Sequence, residues 1–311
     1  MASKFAIGCL VQWYEVEILK EYLKTLRNAI DNYEGEVVVD ILLSTNEDLE
    51  KCQSPDLKAY CEDTVRHTST KYSFTINYTQ DLCTIADYRR MFNDKYCTEV
   101  DVLIWGETDM LVPKELFTAL DLLHTNVQTP KYIATFGICK MWDDSWKPLE
   151  HPEFTDKPFI PNDYENWWSL KYTMAEDEMN TFNEKVENLD IQVLNKHKFN
   201  GCGLVISSEV IKAGVNIPQS VFFVHEDTAF MLMLSKILPD TPQYIIKNIL
   251  LVHNRNHPSK RMYVGGEFGT TMNEKRRSND WYVKANKFSE ENCYNLFNPM
   301  YKTKTWADVW K

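Results

Sequence analysis

Glu107 and Asp109 are two carboxylates separated by one residue, directly after an apolar run. The run has the sequence VDVLIW over residues 100–105, and the residues Met-Leu-Val-Pro follow the acidic pair. In open α/β sheets, ligands gather at the carboxyl ends of the strands. Closely spaced carboxylate oxygens at such an end suit a hard divalent cation that bridges a diphosphate. An acidic turn between a strand and a helix has the same pattern, so the spacing alone leaves both interpretations open.

Two further groups of polar residues lie at the ends of apolar runs. Glu226 and Asp227 precede the apolar stretch TAFMLML, where a carboxylate serves either as a general base or as a partner of the helix dipole. His253 directly follows the apolar run NILLV. It is either a metal ligand or an ordinary histidine at the end of a strand. His253 and His257 have the i, i+4 spacing of a helical zinc pair, but the preceding strand and Pro258 argue against a helix there.

Strand-like and helix-like patterns alternate along most of the chain and must position these residues. The pattern predicts an α/β fold with a mainly parallel central sheet that helices cover on both faces. The predicted strands are 5–12, 36–45, 74–79, 100–105, 132–141, 203–207 and 244–252. The predicted helices are 14–33, 84–96, 113–124 with Pro113 at its first position, a short one from 208, and one within 221–238.

Residues 142–198 interrupt this alternation with four tryptophans, four prolines and many acidic residues. We predict a long excursion without a sheet element, because loops of this length in compact domains are usually functional or disordered and the tryptophans argue against disorder. We therefore predict one domain over 1–255, with the excursion on its acceptor side, and a basic, aromatic segment over 256–311 packed on it. The four tryptophans could instead only fill a small core.

Charge is unevenly distributed along the 311 residues, whose formal net charge is -11. Residues 250–311 contain eleven Lys and Arg and six Asp and Glu, so the remaining chain carries a net charge of -16. A basic segment on an acidic body suits a polyanionic ligand, although a solvated tail has the same composition. The ample apolar content excludes a disordered chain. The lack of G-x-G-x-x-G and G-x-x-x-x-G-K motifs removes the main signal for dinucleotide and P-loop sites.

The eight cysteines include no C-x-x-C pair, and Cys9, Cys139 and Cys202 lie in apolar strand-like runs. In such runs a free cysteine behaves as a small hydrophobic residue. Nothing resembling a signal peptide precedes the first apolar run, and no stretch approaches the roughly 18 apolar residues of a membrane span. The sequence therefore predicts a reduced, cytoplasmic protein that does not bind membranes.

The order of these motifs over roughly residues 5–255 resembles that of the GT-A glycosyltransferases. The segment VDVLIW, Glu107-Thr108-Asp109 and MLVP resembles the D-x-D element of that family, and Glu226-Asp227 resembles the pair that supplies the base in its inverting family 2 members. The resemblance implies a single Rossmann-like GT-A domain that transfers a sugar from a nucleotide-sugar. Glu107 departs from the more common Asp, and the second strand lacks the family's usual acidic pair at its tip.

The resemblance also implies roles for individual residues. Glu107, Asp109 and His253 would hold Mn²⁺ or Mg²⁺, and Asp227, or else Glu226, would take the acceptor's proton in a single displacement with inversion. The residues expected to bind the nucleotide-sugar are Gln12, Thr45, Asp87, Arg89, Arg255, Lys260 and Arg261. Arg89 and its neighbour Arg90 could instead be surface charges.

The favoured donor is a UDP-sugar, and the acceptor has several candidates. The overall likeness to T-even-like bacteriophage glycosyltransferases, including arabinosyltransferases, favours 5-hydroxymethylcytosine in double-stranded DNA and a location in the host cytoplasm. In that case the basic segment would contact phosphates and Trp167 and Trp168 would stack on an extruded base. A glycan or a small molecule is the alternative acceptor. Two other classes stay open: a nucleotidyltransferase, whose Gly-rich basic loop is missing here, and a non-catalytic sugar-binding module.

Overall fold

Runs of apolar and β-branched residues form the strands of the protein. The computed structural model describes residues 2–12, 15–44, 59, 63, 73–79, 83–138, 141–142, 148–149, 175–195, 197, 201–253 and 280–311. The strands are β1 (Phe5–Gln12), β2 (Val37–Ser44), β3 (Ser73–Thr79), β4 (Val102–Trp105), β5 (Met110–Leu111), β6 (Ile133–Ile138), β7 (Met141–Trp142), β8 (Pro148–Leu149), β9 (Ile191–Val193), β10 (Val205–Ser207) and β11 (Gln243–His253).

Helices with an apolar face connect the strands and cover them. They are α1 (Val16–Asp31), α2 (Ile85–Tyr96), α3 (Leu116–Asn126), α4 (Glu176–Asn183), α5 (Ser208–Lys212), α6 (Glu226–Ile237), α7 (Asp280–Tyr294) and α8 (Trp306–Val309). Thr84 begins α2 with a side-chain cap, since its hydroxyl accepts a hydrogen bond from the backbone N–H of Asp87 at 3.2 Å. This cap satisfies one of the free N–H groups of the first turn.

One central sheet has the strand order β3-β2-β1-β4-β10-β6-β11-β5, and β9 pairs with β11. Strands β3, β2, β1 and β4 are parallel neighbours, as are β6 and β11. Strand β10 runs antiparallel between β4 and β6, so these two strands share one direction. The predicted fold class, a mainly parallel sheet flanked by helices, is confirmed. The carboxyl ends of β1, β4 and β11 consequently lie at the same edge of the sheet.

Both faces of the sheet are buried, which explains why β1 is apolar at nearly every position. Its residues Phe5 and Ile7 pack in the core that contains side chains of α1 and α3. Its residues Ala6 and Leu10 point to the opposite face, where side chains of α2, α5 and α6 form the second core. Two cores of this size hold β1 and β4 rigidly at the centre of the sheet.

Two sequence predictions need correction. The prediction that residues 142–198 hold no sheet element is wrong, because Ile191–Val193 pairs antiparallel with β11. The predicted helix from Pro113 begins only at Leu116, because the carbonyl of Pro113 accepts the N–H of Leu116 in a tight turn at 3.0 Å. The spacing of apolar residues in the sequence does not reveal an edge strand of three residues, nor does it fix the start of a helix to within one turn.

The described part of the C-terminal segment packs against the loop that precedes α6. Phe222 and Phe223 form a buried cluster with aromatic side chains of α7 and α8, among them Trp306. The hydroxyl of Ser289 accepts hydrogen bonds from the N–H groups of Phe223 and Val224 and donates to the carbonyl of Val224 at 2.6 Å. Helix α7 thereby fixes the chain just before Glu226. Among the described helices, none is both long enough and apolar enough to cross a membrane.

Candidate active site

Backbone pairing at the sheet edge brings the residues after β4 to the end of β11. The N–H of Gly106 donates to the carbonyl of Gly8 at 2.8 Å, so the chain leaves β4 alongside β1. It then turns into β5, in which Met110 is the register partner of His253. Asp109 precedes Met110 directly, and this pairing therefore places the imidazole of His253 beside the two carboxylates. The two-residue strand β5 is the element that assembles the site.

The side chains of Glu107, Asp109 and His253 converge at this point. His253 Nε2 lies 3.0 Å from Glu107 Oε2 and 3.4 Å from Asp109 Oδ2. The Asp109 side chain is buried, whereas those of Glu107 and His253 are 23% and 14% exposed, so ligand access is from their side. Oxygen and imidazole nitrogen donors at these separations fit a divalent cation.

The charges in this cluster stabilise one another. Burial lowers the pKa of His253, but Asp109 and Glu107 outweigh burial and raise that pKa above its ordinary value. Burial alone would raise the pKa of Glu107, yet His253 and Arg89 lower it to about 2. The two carboxylates thus favour positive charge at this point, which is what a bound metal cation would supply.

Arg89, on α2, connects this cluster to the start of α6. Its guanidinium donates to Glu226 Oε1 at 2.5 Å through one terminal nitrogen. The other terminal nitrogen donates to Glu107 Oε1 at 2.7 Å and to the carbonyl of Gly201 at 3.0 Å. The residue is only 1% exposed and lies 4.7 Å from the ring centroid of Trp105. Planar, multiply bonded arginine is well suited to such a buried bridge between carboxylates.

The acidic pair at the start of α6 has two different environments. Burial raises the pKa of Glu226 to about 7, against the opposing charge of Arg89, and Asp227 adds to the rise. Asp227 is half-buried, and its Oδ1 accepts the N–H of Thr228 at 2.7 Å. His225, just before the helix, has left-handed backbone at φ 67°. Glu226 is therefore held in the interior by Arg89, while Asp227 retains access to solvent.

Cys202 belongs to the same cluster, although the sequence interpretation treated it as a small hydrophobic residue. Ligand atoms of Glu107, Cys202 and His253 all lie within 4.8 Å of one another. The signal that could have found it is its place between two glycines, Gly201 and Gly203, directly before a buried strand.

The other predicted site residues have separate environments or lie outside the described residues. Gln12 ends β1, and its N–H donates to Glu15 Oε2 at 3.1 Å. Asp87 contacts residues of its own helix end, accepting from the Thr84 hydroxyl and from Arg90 at 2.9 Å each. The predicted residues that lie outside the described part are Thr45, Trp167, Trp168, Arg255, Lys260 and Arg261, together with Lys275, Arg276 and Arg277 of the basic segment that was predicted to contact phosphates.

Comparisons with known proteins bear on the fold. No protein-family model and no curated protein matches the sequence. The structure of S. aureus TarS overlaps with a TM-score of 0.50 at 11% identity, covering 96% of this chain and 46% of TarS. The chain thus spans less than half the length of that protein. TarS 1–349 in complex with UDP-GlcNAc overlaps with a TM-score of 0.44 at 10% identity, covering 98% of this chain and 79% of that one.

A third similar structure is glucosyl-3-phosphoglycerate synthase from Mycobacterium tuberculosis in complex with Mn²⁺, UDP and phosphoglyceric acid. It overlaps with a TM-score of 0.40 at 9% identity, covering 84% of this chain and 73% of that one. At such identities the overlap with TarS establishes the fold alone. The protein has the GT-A glycosyltransferase fold, with its polar cluster at the carboxyl end of the central strands.

Proposed function

We propose that the protein is a metal-dependent, inverting glycosyltransferase that uses a nucleotide-sugar. One observation carries the proposal: in a GT-A fold, Arg89 joins the cluster of Glu107, Asp109 and His253 to the acidic start of α6. A single guanidinium thereby links a candidate metal site to a candidate general base. A sugar-binding module has no need of either group.

The donor set fits Mn²⁺ or Mg²⁺, with Glu107, Asp109 and His253 as the residues that would hold the ion. Carboxylate oxygens of Glu107 and Asp109 lie 3.0 Å and 3.4 Å from the imidazole nitrogen of His253, and these donor types are suitable ligands for such cations. When bound, the ion supplies positive charge that offsets the charge developing on a diphosphate leaving group. Asp109 is buried and rigidly placed by β5, which supports its role in holding the site.

Asp227 is the residue we propose as general base. A base must reach the acceptor hydroxyl and be ionised when it takes the proton. The half-buried Asp227 meets the first requirement, whereas Glu226 is buried and bonded to Arg89. Removal of the proton by one carboxylate, on the face opposite the leaving group, gives a single displacement with inversion. Glu226 then positions α6 through Arg89.

The nucleotide-sugar is proposed to contact the ends of β1 and β2, the first turn of α2 and the segment after β11. The proposed contacts are Gln12, Thr45, Asp87, Arg255, Lys260 and Arg261. We assign Arg89 a different role from the predicted direct contact, because both of its terminal nitrogens already bind protein oxygens. A UDP-sugar is the favoured donor, and UDP is the natural first ligand to test.

For the acceptor we propose 5-hydroxymethylcytosine in bacteriophage DNA. The basic composition of residues 256–311 supports this acceptor, as does the packing of α7 beside α6. Helix α7 itself carries two lysines of the basic segment, the exposed Lys287 and the half-buried Lys284. An uncharged small-molecule or glycan acceptor would make no use of this charge.

Thermal unfolding with a panel of nucleotides and nucleotide-sugars, with and without Mn²⁺, tests the proposed function. A ligand at about 100 times its Kd stabilises the native state by about 2.7 kcal/mol. We expect stabilisation by UDP and one UDP-sugar that requires Mn²⁺. Stabilisation by nucleoside triphosphates only would favour the nucleotidyltransferase, and stabilisation by free sugars only would favour the binding module. Either result would refute the proposed function.

A further inference from the structure

The Gly-Cys-Gly turn before β10 is bound to the end of β4 by two backbone hydrogen bonds. The N–H of Gly203 donates to the carbonyl of Trp105 at 2.8 Å, and the N–H of Trp105 donates to the carbonyl of Leu204 at 2.9 Å. Glu107 follows Trp105 by two residues. The turn that carries Cys202 is therefore fixed against the strand end that carries the acidic cluster.

Both glycines of this turn are required by close contacts. Gly203 has a left-handed backbone, with φ 69°, and a Cβ there would lie 2.6 Å from Leu251 Cδ1. A Cβ on Gly201 would lie 2.6 Å from a terminal nitrogen of Arg89 and 3.3 Å from Glu107 Oε1. The backbone thus passes directly against the side chains of the site. Cys202 contributes the one functional side chain of the turn, and it is 1% exposed.

We propose that Cys202 is a ligand of the same metal ion as Glu107 and His253. The ligand atoms of the three residues lie within 4.8 Å of one another, close enough for one cation to contact all three. The inference rests on the metal site of the proposed function and deepens it. It adds a sulfur donor to the carboxylate oxygens of Glu107 and Asp109 and the imidazole nitrogen of His253 that the proposed function assigns to the ion.

Sulfur changes which cations the site prefers. A thiolate is a soft ligand that favours cations such as Zn²⁺ and Co²⁺, whereas Mg²⁺ gains little from a sulfur ligand because it favours oxygen. A buried cysteine that only fills space has no such effect on metal binding. The two roles of Cys202 are therefore separable by measuring metal binding without substrate.

Titration of the full chain with Co²⁺, in the absence of nucleotide, tests the inference. We expect an absorbance band from charge transfer between thiolate and cobalt in the wild type. Cys202→Ser should lack the band and bind Co²⁺ about tenfold more weakly or worse, with little change for Mg²⁺. Cys97→Ser is the matched control, because Cys97 is a buried cysteine at the far end of α2, and this variant should keep the band.

A second measurement does not depend on the variant folding. X-ray absorption of the wild-type protein loaded with Zn²⁺ should detect one sulfur ligand at about 2.3 Å. A shell of oxygen and nitrogen alone, or a cobalt band that persists in Cys202→Ser, would overturn the inference. Because both measurements use the metal alone, their outcome is distinct from that of nucleotide binding. A nucleotide-dependent stabilisation with no sulfur ligand refutes Cys202 as a ligand and leaves the glycosyltransferase proposal in place.

Discussion

Arg89 carries one positive charge and contacts the carboxylates of Glu107 and Glu226, but the pKa values of these two groups shift in opposite directions. Glu107 also contacts His253, and although burial opposes the shift, its pKa falls to about 2. Burial dominates at Glu226 and raises its pKa to about 7. The protein can thus keep Glu107 ionised near the metal site while Glu226 exchanges a proton near neutral pH. Catalysis is assigned to Asp227 and positioning to Glu226 because Asp227 is half-buried, whereas Glu226 is buried and bonded to Arg89.

Asp227→Asn should bind the nucleotide-sugar as the wild type does and transfer sugar about 10²–10⁴ times more slowly. The amide keeps the shape of the carboxylate but does not accept the proton. Product formation and donor affinity measured on the same preparations separate the two effects. Asp240→Asn, an exposed aspartate in the turn after α6, is the matched control and should be fully active. An active Asp227→Asn together with an inactive Glu226→Gln would exchange the two roles.

Glu226 should make the stability of the protein depend on pH. Its pKa rises from 4.5 to about 7 on folding, chiefly through burial, so the folded protein holds the proton more tightly than the unfolded chain. The resulting stabilisation is complete below the unfolded pKa and is lost as pH rises through about 7. We expect the urea unfolding free energy to fall between about pH 5 and about pH 8, and to fall less in Glu226→Gln. Identical pH dependence in both proteins would contradict the assigned pKa.

At the scale of elements, three short pieces of backbone assemble the site: β5, the turn before β10 and the start of α6. Gly203 is the most constrained residue among them, because it combines a positive φ with close contact to Leu251. Gly214 also has a positive φ, of 93°, but a Cβ there would meet nothing within 4 Å. Substitution at Gly214 therefore shows the cost of the backbone conformation alone, whereas substitution at Gly203 adds the effect of a displaced turn on the site.

Gly203→Ala and Gly214→Ala should each lower the urea unfolding free energy by about 1–3 kcal/mol, the usual cost of a strained backbone. Only Gly203→Ala should also weaken metal binding, because it displaces the turn that carries Cys202. Equal metal affinity in the two variants would mean that the turn is not coupled to the site.

The long elements were predictable from the sequence, and the short ones were not. Strand β1 matches its predicted range of 5–12, because burial on both faces leaves a continuous apolar run. Strand β9 has only three residues, which are mostly exposed, and β5 has only two, which are buried. Segments this short do not show the alternation of apolar and polar residues by which a strand is predicted. The resemblance to the GT-A glycosyltransferases implied that Glu107, Asp109 and His253 lie together, whereas the bridge from Arg89 to Glu226 joins residues 137 positions apart. No local pattern encodes a contact of that kind.

At the scale of the whole molecule, charge is divided between an acidic body and a basic C-terminal segment. Within that segment the described helix α7 is anchored by Ser289 and by the aromatic cluster around Trp306. The anchoring also fixes the loop before Glu226, so the segment is structurally tied to the proposed acceptor side. The basic composition of the segment would attract a polyanionic acceptor.

Neutralising Lys275, Arg276 and Arg277 together should weaken binding of duplex DNA that contains 5-hydroxymethylcytosine. The slope of log affinity against log salt should decrease by up to about three phosphate contacts' worth. Fluorescence anisotropy over a series of salt concentrations measures both quantities. Hydrolysis of the donor without acceptor should be unchanged, since these residues follow His253 by about twenty positions.

A charge-matched control tests whether the location of the charge matters. Neutralising Lys20, Lys185 and Lys212, which are exposed on the acidic body, removes the same charge and should leave the salt slope unchanged. Equal loss in both triple variants, or no duplex binding by the wild type at low salt, would refute DNA as the acceptor. The proposed transfer from a nucleotide-sugar would then apply to another hydroxyl.

Calorimetric titration of the wild type with UDP, with and without Mn²⁺, tests the central claim most directly. A nucleotide-sugar enzyme with a metal site at Glu107, Asp109 and His253 should bind UDP much more tightly when Mn²⁺ is present. Asp109→Asn should lose this metal-dependent gain while its circular dichroism spectrum stays that of the wild type, and the exposed control Asp240→Asn should retain the gain. Failure of the wild type to bind UDP with any divalent cation, or equal metal-dependent affinity in Asp109→Asn, would contradict the account.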